Sequence, residues 1–157
     1  MATATVVNGL NVQGIQDLVE AVTAQPQVAK AAFYATTIWR GGFHNEAVVK
    51  PFSLGGARND TSRKKAFTIV GDHPQEFLGT DKGPSSVEVL LSALGHCLAS
   101  GWATYGAHMG IPIEGLRVEV EGDIDLQGML ALPEPGAVPP GVQEIRATYY
   151  RKSSATR

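Results

Sequence analysis

The stretch GPSSVEVLLSALGHCLASGW, residues 83–102, decides how this chain is read. From Val87 onward, apolar residues recur at 87, 90, 91, 94, 98, 102, 105 and 109, which is helical spacing. Ser85 and Glu88 suit its start, because a capping-box hydroxyl and carboxylate each satisfy a backbone N–H that a helix end leaves unpaired. Gly110 suits its stop, and Ile111-Pro112 leads out. Few charges lie between Glu88 and His108, so a long helix buried nearly all round is expected. Gly95, Gly101 and Gly106 each weaken such a helix by roughly 1 kcal/mol relative to Ala. A close approach by another backbone would account for them. Cys97, the only cysteine, lies beside the apolar stripe.

Upstream, Val12, Ile15, Leu18, Val19 and Val22 fall at helical spacing until Pro26 stops the pattern. This gives a short amphipathic helix, able to lie against the main domain or a partner chain. Residues 31–54 hold β-branched and aromatic residues on both sides of Gly41-Gly42 and read as a hairpin. Residues 55–65 are polar and basic and read as a loop, with Arg58, Arg63, Lys64 and Lys65 in solvent. A strand is expected at 66–71 and an irregular stretch at 73–84. Downstream, residues 116–126 alternate: Leu116, Val118 and Val120 on one face, Arg117, Glu119 and Glu121 on the other. One wet face implies an antiparallel sheet. A loop with Pro133, Pro135, Pro139 and Pro140 leads to a last strand at 142–150. Strands, then a buried helix, then strands argue for an α+β fold. We divide the chain into a helical N-terminal extension, 1–30, and one domain, 31–157.

The chain has 157 residues, enough for one domain with a real core. A net charge of −2 offers no strong field for nucleic acid or an anionic membrane, and neither is expected as a partner. No apolar run approaches a membrane span, and the N-terminus lacks the pattern of a secretory signal. A single cysteine fits a reducing, cytoplasmic setting. His44, His73, His96 and His108 show no metal-binding spacing, and nucleotide-binding and nucleophile-elbow motifs are absent. No cofactor and no metal are expected.

Cys97 is either a packed core thiol or a reactive one, and reactivity requires a lowered pKa. The helix dipole cannot supply this twelve residues past Ser85, because its effect fades within the first turn. His96 points about 100° away around the helix, and His108 lies about 16 Å along it. A reactive Cys97 therefore needs a cation from elsewhere in the fold or from a second subunit. Arginine suits this best because it stays charged when desolvated.

The run FLGTDKGPSSVEVLLSALGHCLAS resembles the OsmC/Ohr superfamily, the osmotically inducible and organic-hydroperoxide-resistance proteins. There, a Gly-Pro-rich loop and a glutamate precede a buried helix that carries a cysteine. The resemblance continues through HMGIPIEGLRVEVEGDIDLQGML and the hairpin TTIWRGGFHNEAVV, covering about 34–150. It implies an OsmC-like fold with antiparallel sheets around a long buried central helix, assembled as an intertwined homodimer with sites at the subunit interface. It also implies a cysteine thiolate, stabilised by arginine and accompanied by glutamate, that attacks organic hydroperoxides and is resolved by a second cysteine. Cys97 matches the reactive cysteine. Glu88 lies near the family glutamate, which one branch places one position earlier, at Val87 here. The family arginine follows a Gly-Gly; here Phe43 and His44 follow it and Arg40 precedes it, so Arg40 or His44 is the candidate cation. The family's second cysteine lies beyond the strand that ends near Tyr150, and the 157 residues do not contain it. We therefore expect a C-terminally short member that depends on an external thiol reductant.

Two functions are in play. One is thiol-dependent reduction of organic hydroperoxides in oxidative or osmotic stress defence. Cys97 would be the nucleophile, and Leu94, Leu98, Trp102 and Tyr105 would line an apolar pocket. The other is a non-catalytic dimer that binds a small apolar ligand or serves as a stress-associated scaffold.

Overall fold

A computed structural model of the protein describes residues 5–132, 134 and 136–155. In chain order the elements are β1 (Val6–Val7), β2 (Leu10–Asn11), α1 (Val12–Ala24), β3 (Ala31–Gly41), β4 (His44–Leu54), β5 (Ala57–Asn59), β6 (Phe67–Gly71), α2 (Ser86–His108), β7 (Gly115–Ile124), α3 (Leu126–Met129) and β8 (Val142–Lys152). The described sheet pairings among β3 to β8 are antiparallel, as an α+β chain requires. Two compact units result. One is built from Asn11–Ser86, and the other from Val6–Leu10 with the chain from Val87 onward.

In the first unit, Asn11 caps α1 by accepting a hydrogen bond from the Gly14 amide, 3.2 Å. The helix buries none of its residues, and Leu18 and Val19 stay exposed. Strand β4 is the middle of the unit's sheet: it pairs with β3 over 31–54 and with β6 from Asn45↔Gly71 to Val49↔Phe67. The hairpin turns at Gly42-Phe43, as the glycine pair suggested. The expected loop at 55–65 instead begins with β5, which folds back on the end of β4 (Phe52↔Asn59). Gly55 and Gly56 make this possible: both have positive φ, 59° and 81°, the pairing that a two-residue hairpin turn demands. Of the basic residues expected in solvent, Arg58, Lys64 and Lys65 are exposed and Arg63 is half-buried, and both arginines also lie against rings. The Arg58 guanidinium lies over Tyr34, and that of Arg63 between Phe52 and Phe67, at 5.2–5.6 Å from the ring centres. A guanidinium is weakly hydrated and stacks well, which loop composition does not reveal.

The stretch 72–84 winds around one carboxylate. Asp72, 2% exposed, accepts from the Thr80 hydroxyl (2.5 Å) and from the amides of His73 (2.8 Å), Lys82 (3.2 Å) and Thr80 (3.3 Å). The winding is so tight that a Cβ on Gly79 would fall 1.7 Å from the His73 carbonyl oxygen. A short, well-anchored loop thus delivers the chain to Ser85 and the start of α2, with Glu88 in the first turn.

In the second unit β7 and β8 form a two-stranded ribbon, running in register from Gly115↔Lys152 to Asp123↔Glu144. The alternation expected for 116–126 is present: Leu116, Val118 and Val120 are half-buried, while Arg117, Glu119 and Glu121 are exposed. The covered face packs on α2, where Val120 lies at Gly95 and Leu91 at Gly122. The connection to β8 includes positions 133 and 135, so the expected Pro133 and Pro135 lie outside the described residues. Only Gly106 and Ala107 of α2 are buried, so the all-round burial expected from its composition does not hold in the single chain. A two-stranded ribbon can cover one side of a helix, and the unit's other strand pair, β1 with β2, has only two residues per strand. The stripe therefore divides. Val87, Leu91, Leu94 and Leu98 are half-buried, while Tyr105 and Met109 are 69% and 66% exposed.

Candidate functional site

The helical stripe and the ribbon leave a cavity of about 400 Å³ between them in the second unit. On α2 its walls are Cys97, Gly101 and Tyr105, each one turn from the next, with Leu98, Trp102 and Gly106 alongside and Met109 just past the helix end. The space therefore runs lengthwise along the helix, over about 18 Å from Cys97 to Met109 at 1.5 Å per residue. Ile111 and Ile113 close one side after the helix ends, and Tyr149 and Arg151 contribute from β8. Gly101 leaves open space where a Cβ would stand, so this helical glycine keeps the cavity wide. Gly106 is the helical glycine that meets backbone: a Cβ there would approach the Ile111 carbonyl oxygen at 3.1 Å.

Cys97 is exposed and opens onto this cavity, so it is not the packed thiol that its leucine and glycine neighbours suggest. Of the apolar residues expected to line a pocket, Leu98, Trp102 and Tyr105 do so; Leu94 is not in the wall. Glu88 lies nine residues before Cys97, about 13.5 Å along the helix and half a turn out of phase, and is outside the wall as well. Arg40 and His44 belong to the first unit. Arg40 donates from Nε and Nη2 to Glu46 at 3.0 and 2.7 Å across the hairpin. His44 opens β4 opposite Gly41.

Among the described residues the one arginine in the cavity wall is Arg151, which the sequence pattern did not single out. Its guanidinium lies 5.7 Å from the centre of the Trp102 ring, and that ring in turn packs on Tyr149 at 5.7 Å. The register explains its position. Arg151 pairs with Leu116 and Tyr149 with Val118, so Arg151 belongs to the helix-facing side of the ribbon. The arginines of the opposite side are occupied: Arg146 pairs with Glu121, Asp123 and Glu144, and Arg117 with Glu119. Those three carboxylates hold the Arg146 guanidinium even more firmly protonated than usual, Asp123 foremost by its hydrogen bond. Extending the alternation into β8 would have found Arg151, because Ile145, Ala147 and Tyr149 precede it at every second position.

Among the described residues no group of three or more His, Cys, Asp or Glu is placed to hold a metal ion, and no helix is long and apolar enough to cross a membrane. The wall can thus offer a thiol, a guanidinium and a long apolar surface. A comparison with protein families matches residues 79–157 to the family described as OsmC-like protein. No curated protein matches the chain.

Proposed function

We propose, from the premise that this chain belongs to the OsmC-like family, that it reduces organic hydroperoxides with Cys97 as the attacking thiolate. The observation that carries this reading is an exposed thiol opening onto an elongated apolar cavity. The thiolate attacks one peroxide oxygen, the O–O bond breaks, and the alkoxide takes a proton and leaves as the alcohol. Sulfur, oxidised by two electrons, is left as sulfenic acid. With Cys97 the only cysteine in these 157 residues, an external thiol then condenses with the sulfenic acid and expels water. A second equivalent of thiol attacks the mixed disulfide and releases Cys97. Such a cycle suits a reducing, cytoplasmic setting. Arg40 or His44 as the thiolate's cation and Glu88 as orienting carboxylate complete the proposed residue set, and a homodimer is its proposed assembly. The apolar lining favours alkyl and acyl hydroperoxides over hydrogen peroxide, whose small polar body leaves the cavity unfilled.

The direct test is intact mass after a small excess of cumene hydroperoxide. A gain of one oxygen, or a mixed disulfide when thiol is present, is expected in the wild type and absent in Cys97→Ser. An unmodified wild-type mass, with no peroxide consumed in the presence of thiol, would leave the non-catalytic ligand-binding reading in its place.

A further inference from the structure

We propose that Asn8-Gly9 is a self-modification site: Asn8 deamidates by attack of the Gly9 amide when its turn opens, and the product cannot close the turn again. The reaction needs neither Cys97 nor peroxide, so it stands apart from the function proposed above. Asn8-Gly9 is the one Asn-Gly pair in the sequence, and a glycine nitrogen has no Cβ beside it to hinder its approach. A Cβ at Gly9 would have nothing within 4 Å, so the turn is open around the nucleophile as well. The Gly9 nitrogen attacks Asn8 Cγ, the Cγ–Nδ2 bond breaks, and ammonia leaves with the proton that Gly9 gives up. Water then opens the cyclic imide at either carbonyl, leaving aspartate or isoaspartate, and no electrons are exchanged. In the closed turn Asn8 Nδ2 donates to the carbonyls of Ile111 (3.0 Å) and Ala103 (3.4 Å), and Oδ1 accepts from the Ile113 amide (2.7 Å). These bonds fix the side-chain amide, and Cγ cannot turn to the Gly9 nitrogen while they last. Strands β1 and β2 have two residues each, a pairing too short to keep the turn closed by itself. A carboxylate only accepts hydrogen bonds, so the product loses both bonds to carbonyls and is repelled by their oxygens. Isoaspartate also lengthens the main chain of the turn by one methylene. Ile111 and Ile113, which Asn8 tethers, close one side of the cavity, and deamidation therefore frees that wall.

Peptide mapping of the full chain after incubation at mildly alkaline pH reads aspartate and isoaspartate at position 8. Deamidation should be at least about tenfold slower in the folded wild type than in guanidinium chloride, because it waits on an opening that breaks three hydrogen bonds. At Gly106 a Cβ would fall 2.7 Å from Asn8 Nδ2, so Gly106→Ala displaces the side-chain amide while favouring the helix. That variant should deamidate severalfold faster than the wild type at unchanged helical circular dichroism. Asn8→Asp, which encodes one product, should lose about tenfold of the hydrogen-exchange protection at the Ile111 amide, which donates to the Gly106 carbonyl at the helix end. Aged wild type, enriched in the product, should show the same loss, so the outcome does not hang on the folding of either variant. No product at position 8, equal rates in the folded and denatured chain, an unchanged rate in folded Gly106→Ala, or full Ile111 protection in the aged protein would overturn the proposal.

Discussion

Asp72 illustrates how much a single side chain organises here. Its carboxylate accepts four hydrogen bonds, three of them from backbone amides, and so replaces the ladder that the 72–84 stretch lacks. The Thr80 hydroxyl, followed by those amides, holds its pKa well below the usual carboxylate range, against the opposing effect of burial. A depressed folded pKa means that the stabilisation is complete above the ordinary value near 3.8 and is lost as pH falls below it. Asp72→Asn should therefore unfold at lower urea than the wild type at pH 7, with the gap narrowing from pH 4 towards pH 2. A gap that stays constant over that range would show that the charge does not matter. Cys97 is legible in the sequence as the one candidate nucleophile, but its exposure is not. Composition around a residue describes its neighbours along the chain, whereas exposure depends on what the fold lays over it.

At the scale of elements, the turn between β1 and β2 acts as a clamp. Asn8, with a φ of 52°, donates from Nδ2 to the carbonyls of Ile111 (3.0 Å) and Ala103 (3.4 Å) and accepts from the Ile113 amide (2.7 Å). It thereby ties the last turns of α2 to the chain that leads into β7. Asn is among the few side-chain-bearing residues that occupy the left-handed region readily, and it brings both a donor and an acceptor. Asn8→Ala should cost about 2 kcal/mol, since it leaves an amide and a carbonyl unpaired and adds strain. In a thermal melt this is a fall of about 5 °C for a chain of this size. An unchanged melt would mean that the helix end is held without the clamp. The elements themselves follow sequence pattern closely. α1 spans Val12–Ala24, the stretch whose spacing is helical before Pro26, and β7 shows the expected alternation. Strand β5 and the clamp escaped because each depends on a partner: β5 on the end of β4, and Asn8 on residues about a hundred positions away.

The whole molecule shows more apolar surface than its ordinary composition suggests. Leu18 on α1, Phe33 and Trp39 on β3, Tyr105 on α2 and Met109 just past its end are all exposed, with Phe33 and Trp39 at 71% and 70%. Exposed patches of this kind mark surfaces that associate. Sedimentation velocity should accordingly give twice the 16.6 kDa mass of one chain at micromolar concentration. A single 16.6 kDa species at that concentration would remove the homodimer from the proposed function. The sequence by itself determined the α+β class, the long helix from the GPSS loop to Gly110, the antiparallel ribbon strand and the family, because periodicity, caps and turn residues act over a few positions. Only the tertiary structure decided that Cys97 faces open space and that Arg151, fifty-four residues further along, shares its cavity. Strand register sets which arginine points at the helix, and register belongs to the pairing of two strands rather than to either strand alone.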